Sequence, residues 1–81
     1  MRIDKFLKLS RIIKRRTVAN EACDAGHVKV NDRVVKASYD VKEGDIIEIT
    51  FGERKLKIKV LDVRERVRKN DASELYEVVS E

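Results

Sequence analysis

The stretch Thr17-Val18-Ala19-Asn20-Glu21-Ala22-Cys23-Asp24-Ala25-Gly26-His27-Val28-Lys29-Val30 decides the fold, because the spacing of its apolar residues changes within it. Val18, Ala22 and Ala25 recur at helical intervals, flanked by Ala19 and Cys23. Val28-Lys29-Val30 alternates, as a strand does. Gly26 stands between the two patterns, and glycine readily takes the left-handed conformation that ends helices. Thr17 is expected to be the N-cap, its hydroxyl poised for the free amides of Ala19 or Asn20, with the helix continuing to Ala25. The small side chains on this helix would let another helix approach closely.

Upstream, a first helix is expected from Arg2 to Ser10 or Arg11. Ile3, Phe6 and Leu7 fall on one narrow arc with Ser10 between them, while Arg2, Lys5, Lys8 and Arg11 occupy the opposite side. Ile12–Arg16 forms a basic connector. Downstream, Asn31-Asp32 turns the chain into Arg33-Val34-Val35, and Lys36–Lys42 crosses irregularly with Val41 tucked inward. Ile46–Phe51 is a strand whose Ile47, Ile49 and Phe51 line a buried face. Gly52-Glu53 turns it into Arg54–Val63, where Leu56, Ile58 and Val60 alternate with Lys55, Lys57 and Lys59. Arg64–Ser73 is expected to be a polar loop, with room for one helical turn at Ala72–Leu75, and Leu75–Val79 to be a last strand. The order is α+β: two N-terminal helices packed on a small, mainly antiparallel sheet of about five strands.

At 81 residues the chain is one domain, 1–81. Domains of this size bury only about 60% of their unfolded surface. An enclosed catalytic pocket commonly takes about 300 Å³ or more, which such a thin core can scarcely surround. The only histidine, His27, has no serine or cysteine that can be paired with it from sequence. Cys23 sits on a helix face as a small buried filler, and one Cys with one His makes no zinc site. No enzyme, metal or cofactor is expected. The chain has no signal-peptide core and no long apolar run, so a cytoplasmic protein without membrane contact is expected.

Charge points to the partner. Residues 1–36 hold ten Lys and Arg against four Asp and Glu, net +6, whereas residues 37–81 are net −2. Such polarity suggests a basic face that docks on a polyanion. Lys14-Arg15-Arg16 adds three successive cations just before a helix N-terminus, where mutual repulsion and the helix dipole both oppose them. Phosphate at that junction would relieve the cost, since free amides and guanidinium forks can share its oxygens. Thr17 and Asn20 add neutral donors there. Lys55, Lys57 and Lys59 lie on the solvent side of a possible edge strand, where lysines also discourage aggregation. With Phe6 and Phe51 expected inside, recognition should be of phosphate backbone and folded shape.

These residues also carry a resemblance. Arg2-Ile3-Asp4-Lys5-Phe6-Leu7, Lys14-Arg15-Arg16-Thr17 with Ala19, Gly26-His27-Val28-Lys29-Val30-Asn31 and Val41-Lys42-Glu43-Gly44-Asp45 occur in order. Together they resemble the RNA-binding domain named after small-subunit ribosomal protein S-four, over residues 1–51. Residues 52–81 would add a C-terminal hairpin and strand. The continuation to Tyr76-Glu77-Val78-Val79 is similar to the RqcP-type, YabO-like ribosome quality-control family, relatives of a ribosome-associated heat-shock protein. The resemblance implies binding to large-subunit ribosomal RNA and tRNA on a large subunit blocked by peptidyl-tRNA. It also implies a partner protein that recruits alanyl-tRNA to extend the nascent chain with alanine.

Carried onto this chain, the RNA-contact positions it implies are Arg2, Asp4, Lys5, Arg15, Arg16, Thr17, Asn20, Lys29 and Asn31. Lys8, Arg11 and Lys14 join them from the basic pattern alone. Asp4, among so many cations, is expected to orient Arg2 or Arg16 and not to touch phosphate. The family's usual turn glycine is replaced by Asp32, which also tolerates turns. A heat-shock-type factor that binds dissociated large subunits without tailing is the alternative.

Overall fold

The computed structural model describes residues 1–80. Two helices, α1 (Ile3–Leu9) and α2 (Arg16–Asp24), precede strands β1 (Val28–Val30), β2 (Arg33–Val34), β3 (Ile46–Phe51) and β4 (Arg54–Val60). A 3-10 helix at Lys69–Leu75 then leads into β5 (Tyr76–Ser80). The strands form one five-stranded sheet in the order β2-β1-β3-β4-β5, and every pairing is antiparallel. This is the expected α+β architecture.

The arc on α1 is wholly buried: Ile3, Phe6 and Leu7 have no exposed surface. Side chains of this kind each contribute about 1.5–3 kcal/mol when fully withdrawn from water. They meet Val28, Ile47, Ile49, Ile58 and Val60 from the sheet in one cluster. Ser10, also buried, satisfies its hydroxyl by donating to the Leu7 carbonyl at 3.2 Å. Helix α1 stops at once afterwards, because Arg11 takes a left-handed φ of 63°. Ile13, from the connector, is buried and its amide donates to the Leu7 carbonyl at 3.1 Å.

The buried ridge of α2 is Ala19 and Cys23, with Ala22 half-buried. Val18 is 47% exposed and Ala25 is exposed, which corrects the expected inner face by about one position. Two small residues one turn apart suffice to seat α2 against the larger side chains of α1. Gly26 ends α2 at a φ of 84°. Its amide donates to the Cys23 carbonyl and that of His27 to the Ala22 carbonyl, at 3.0 and 2.9 Å, the paired bonds of a Schellman ending.

Asn31 and Asp32 both take positive φ, 50° and 69°, as a two-residue turn matched to strand twist requires. The 37–41 crossing is held from several sides. Asp24 accepts the Ala37 amide at 3.3 Å, and the Ile3 amide donates to the Tyr39 carbonyl at 2.8 Å. Asp45, 9% exposed, accepts from the Asn31 amide group, the Tyr39 hydroxyl and the Lys42 backbone amide.

Three expectations about the far end of the sheet are overturned. Phe51 is 44% exposed, although Ile47 and Ile49 on the same face are fully buried, because the helices do not cover the hairpin end. Strand β4 is interior, not an edge, since β5 pairs along it; it also ends at Val60, where the Leu61 amide turns to the Leu75 carbonyl at 2.8 Å. Lys55 and Lys57 instead flank Glu48 of β3, at 3.8 and 3.9 Å.

Candidate nucleic-acid interface

Asp4 organises the basic surface. It occupies the first turn of α1 and is 2% exposed, yet both carboxylate oxygens are partnered. Arg2 forks onto it, Nε to Oδ1 at 3.2 Å and a terminal nitrogen to Oδ2 at 3.3 Å. The Lys5 amide donates to Oδ1 at 2.8 Å, and the Asn20 side-chain amide donates to Oδ2 at 3.2 Å. Arg16 stands over Oδ1 at 3.5 Å. Burial pushes the carboxyl's pKa up, but the bonds from Asn20, Arg2 and the Lys5 amide, with the charge of Arg16, outweigh it. The carboxyl therefore sits below the ordinary aspartate range and stays ionised at neutral pH. Asp4 orients both guanidinium groups, as expected.

Arg16 also explains where α2 begins. Thr17 was expected as N-cap; the N-cap is Arg15, extended at φ −117° and ψ 131°, with no side-chain cap. The helix starts two residues earlier because Arg16 must enter the first turn to reach Asp4. The amides of Arg16, Thr17 and Val18 precede the first intrahelical bond, which runs from Ala19 to the Arg15 carbonyl at 3.1 Å. This end of α2 is exposed from Arg15 to Val18.

Arg2, Asp4, Arg16, Thr17, Asn20 and Glu21 line one open hollow of about 420 Å³. Its wall offers two guanidinium groups, a hydroxyl and the unbonded amides of α2. Half of each guanidinium side chain remains accessible, at 50% for Arg2 and 47% for Arg16. Lys8, Arg11 and Lys14 gather elsewhere, around a second hollow of about 410 Å³ with Leu9 and Val67. Lys5 turns aside to pair with Glu65.

The remaining candidates stand apart. Lys29 alternates with buried Val28 and Val30, so it projects from the sheet face away from the helices, in register with Glu48. Asn31 is exposed but its side chain is engaged, donating to Asp45 and accepting the Ile46 amide at 3.0 Å. Sequence reasoning missed Glu21, an acid on the rim of the first hollow, and Val67, which helps wall the second. Helical spacing from Thr17 and Asn20 could have signalled Glu21; nothing local could have signalled Val67. Cys23 is buried, and burial, with the charges of Asp4 and Asp24, pushes its thiol up to about 11. It is no nucleophile.

The S4 domain model matches residues 1–47. This chain belongs to the S4 domain family. It is 52% identical over 81 residues to the RQC P-site tRNA stabilizing factor of Streptococcus pneumoniae, covering 100% of this chain and 92% of that protein. The protein of the same name from Halalkalibacterium halodurans is 53% identical, with the same coverage. Heat Shock Protein 15 of Vibrio cholerae superposes with a TM-score of 0.90 at 27% identity, over 99% of this chain and 82% of its own. Within the S4 domain family, the full-length likeness places this chain beside the RQC P-site tRNA stabilizing factors. Among the described residues, no helix is long and apolar enough to cross a membrane.

Proposed function

We propose that this chain is a non-catalytic RNA-binding protein of bacterial ribosome quality control. In this reading it holds large-subunit ribosomal RNA and P-site tRNA together on a large subunit still carrying peptidyl-tRNA. It acts there in the cytoplasm, without a cofactor, beside a partner protein that recruits alanyl-tRNA, and so supports alanine tailing of the stalled chain. The observation that carries the reading is the fixing of Arg2 and Arg16 by buried Asp4 beside the unbonded amides of α2.

The physical case is electrostatic. A phosphate seated there would meet guanidinium forks and backbone donors at once, and the dipole of α2 would add to the attraction. Thr17 and the free oxygen of Asn20 could take ribose or phosphate groups alongside. Lys8, Arg11 and Lys14 would track a further length of backbone from the second hollow, with Arg15 between. Lys5, Lys29 and Asn31 would act at the margins. If about five to seven phosphates are neutralised, affinity should fall steeply with salt. Full-length identity to proteins named RQC P-site tRNA stabilizing factors supports the choice of RNA.

Co-purification on large subunits with and without peptidyl-tRNA tests the reading. Preferential capture on the loaded subunits is expected. Equal capture on both would favour a heat-shock-type factor that binds dissociated subunits without tailing, a reading suggested by the likeness to Heat Shock Protein 15. Capture on neither would contradict both.

A further inference from the structure

The hollow beside Asp4 holds a second acid, for which the fold itself has no use. Glu21 stands on the rim with Arg2, Arg16 and Thr17. Asp4 is 2% exposed and partnered at both oxygens. Glu21 is exposed, and its side chain makes no ion pair among the described residues. The helix dipole rewards acids in a first turn, but Glu21 is the sixth residue of Arg16–Asp24. Its neighbours three and four positions away are Thr17, Val18, Asp24 and Ala25, which include no cation and one further acid. Neither the dipole nor a helical ion pair explains it.

A carboxylate in this place also repels the phosphate that Arg2 and Arg16 are fixed to receive. That cost is offset where the bound polyanion brings a hydrogen-bond donor to the rim. Chemistry narrows the donor. Phosphate oxygens only accept, and a deoxyribose backbone has no hydroxyl; the ribose 2′-hydroxyl is the one donor on a nucleic-acid backbone. In paired RNA the base amines are engaged in the pairs, whereas the 2′-hydroxyls line the open minor groove. Glu21 lies five residues beyond Arg16, about 7.5 Å of helix rise, a span on the order of one nucleotide of backbone.

We propose that Glu21 is a specificity residue of this hollow. Its carboxylate accepts a hydrogen bond from the 2′-hydroxyl of a ribose whose neighbouring phosphate Arg2 and Arg16 hold. The guanidinium groups attract any polyanion; Glu21 penalises those that lack the hydroxyl. The inference rests on the reading of this chain as an RNA-binding protein and names the group by which it tells RNA from other polyanions.

Fluorescence anisotropy tests it with a short labelled RNA duplex and the same duplex carrying 2′-fluoro riboses, which keep the A-form but cannot donate. The native protein should bind the unmodified duplex about ten-fold more tightly, the lower end for a hydrogen bond to a charged group. Glu21→Ala should remove most of that difference. Glu21→Gln, which keeps an acceptor oxygen without the charge, should retain part of it. Both replacements suit an exposed helical position, and circular dichroism confirms that each variant is folded. Equal binding of the two duplexes by the native protein overturns the proposal, as does a preference that follows base sequence and not the ribose. If the difference persists in Glu21→Ala while Arg16→Ala weakens binding to the unmodified duplex, only this inference falls. If the native protein binds neither duplex, the RNA-binding reading falls with it.

Discussion

Arg16 and Asp4 are twelve positions apart in the chain, yet a terminal nitrogen of Arg16 lies 3.5 Å from a carboxylate oxygen that is almost wholly buried. The contact joins the first turns of the two helices. Exposed ion pairs contribute little, commonly below about 1 kcal/mol. This one has a buried acid with several other donors, so its main effect is to fix where two guanidinium groups point.

Asp4→Asn should therefore lower stability at neutral pH by about 1–3 kcal/mol, the scale of losing charge-assisted hydrogen bonds at a buried acceptor. The sign with pH follows from the depressed carboxyl. The folded state holds this proton more weakly than the unfolded chain, so the stabilisation is present above the ordinary value of 3.8 and fades as pH falls through the lower folded value. Urea midpoints of the two proteins should differ at pH 7 and converge in acid. A constant difference across that range would rule out the ionised form as the cause.

Arg16→Ala should weaken binding to the tRNA-loaded large subunit by about 1–3 kcal/mol, with a smaller effect on folding because the side chain is half exposed. Lys57→Ala should matter less, since that lysine sits on the far face beside Glu48. Filter-binding titrations of both variants check this. An equal loss from Lys57→Ala would extend the interface over the sheet.

Asp45→Ala should destabilise the fold by about 2–4 kcal/mol, because it leaves the Tyr39 hydroxyl, the Asn31 side chain and the Lys42 amide without their acceptor. Chemical denaturation checks the magnitude. A near-neutral result would mean that water replaces the carboxylate.

Cys23 should resist alkylation at pH 8 in the native protein, since burial holds the thiol near about 11. It should react once denaturant is added. Rapid labelling without denaturant would show that α2 lifts from the sheet.

Much of this was legible locally. The change of spacing around Gly26, the Asn31-Asp32 turn and the alternation in β4 each depend on neighbouring residues, and each feature formed in the expected stretch, although β4 stops at Val60 and not at Val63. The basic residues were visible too, but their grouping was not. Lys5 meets Glu65 across sixty positions, and no local pattern encodes that pairing. The start of α2 was misplaced because Thr17 looks like a cap, while the residue that sets the boundary, Arg16, answers to Asp4 on another helix. Phe51 continues a buried alternation, and only the reach of the helices shows that the alternation outruns its cover. Whether β4 is an edge depended likewise on the distant pairing of β5.

The most direct test of the central claim is a salt series on binding to the tRNA-loaded large subunit, comparing the native sequence with Arg16→Ala. Each lost phosphate contact should flatten the logarithmic salt dependence by about 0.7–0.9. The account predicts a weaker affinity and a slope reduced by about one such contact for Arg16→Ala. Parallel slopes with unchanged affinity would contradict it, because the guanidinium held by Asp4 would then face no phosphate.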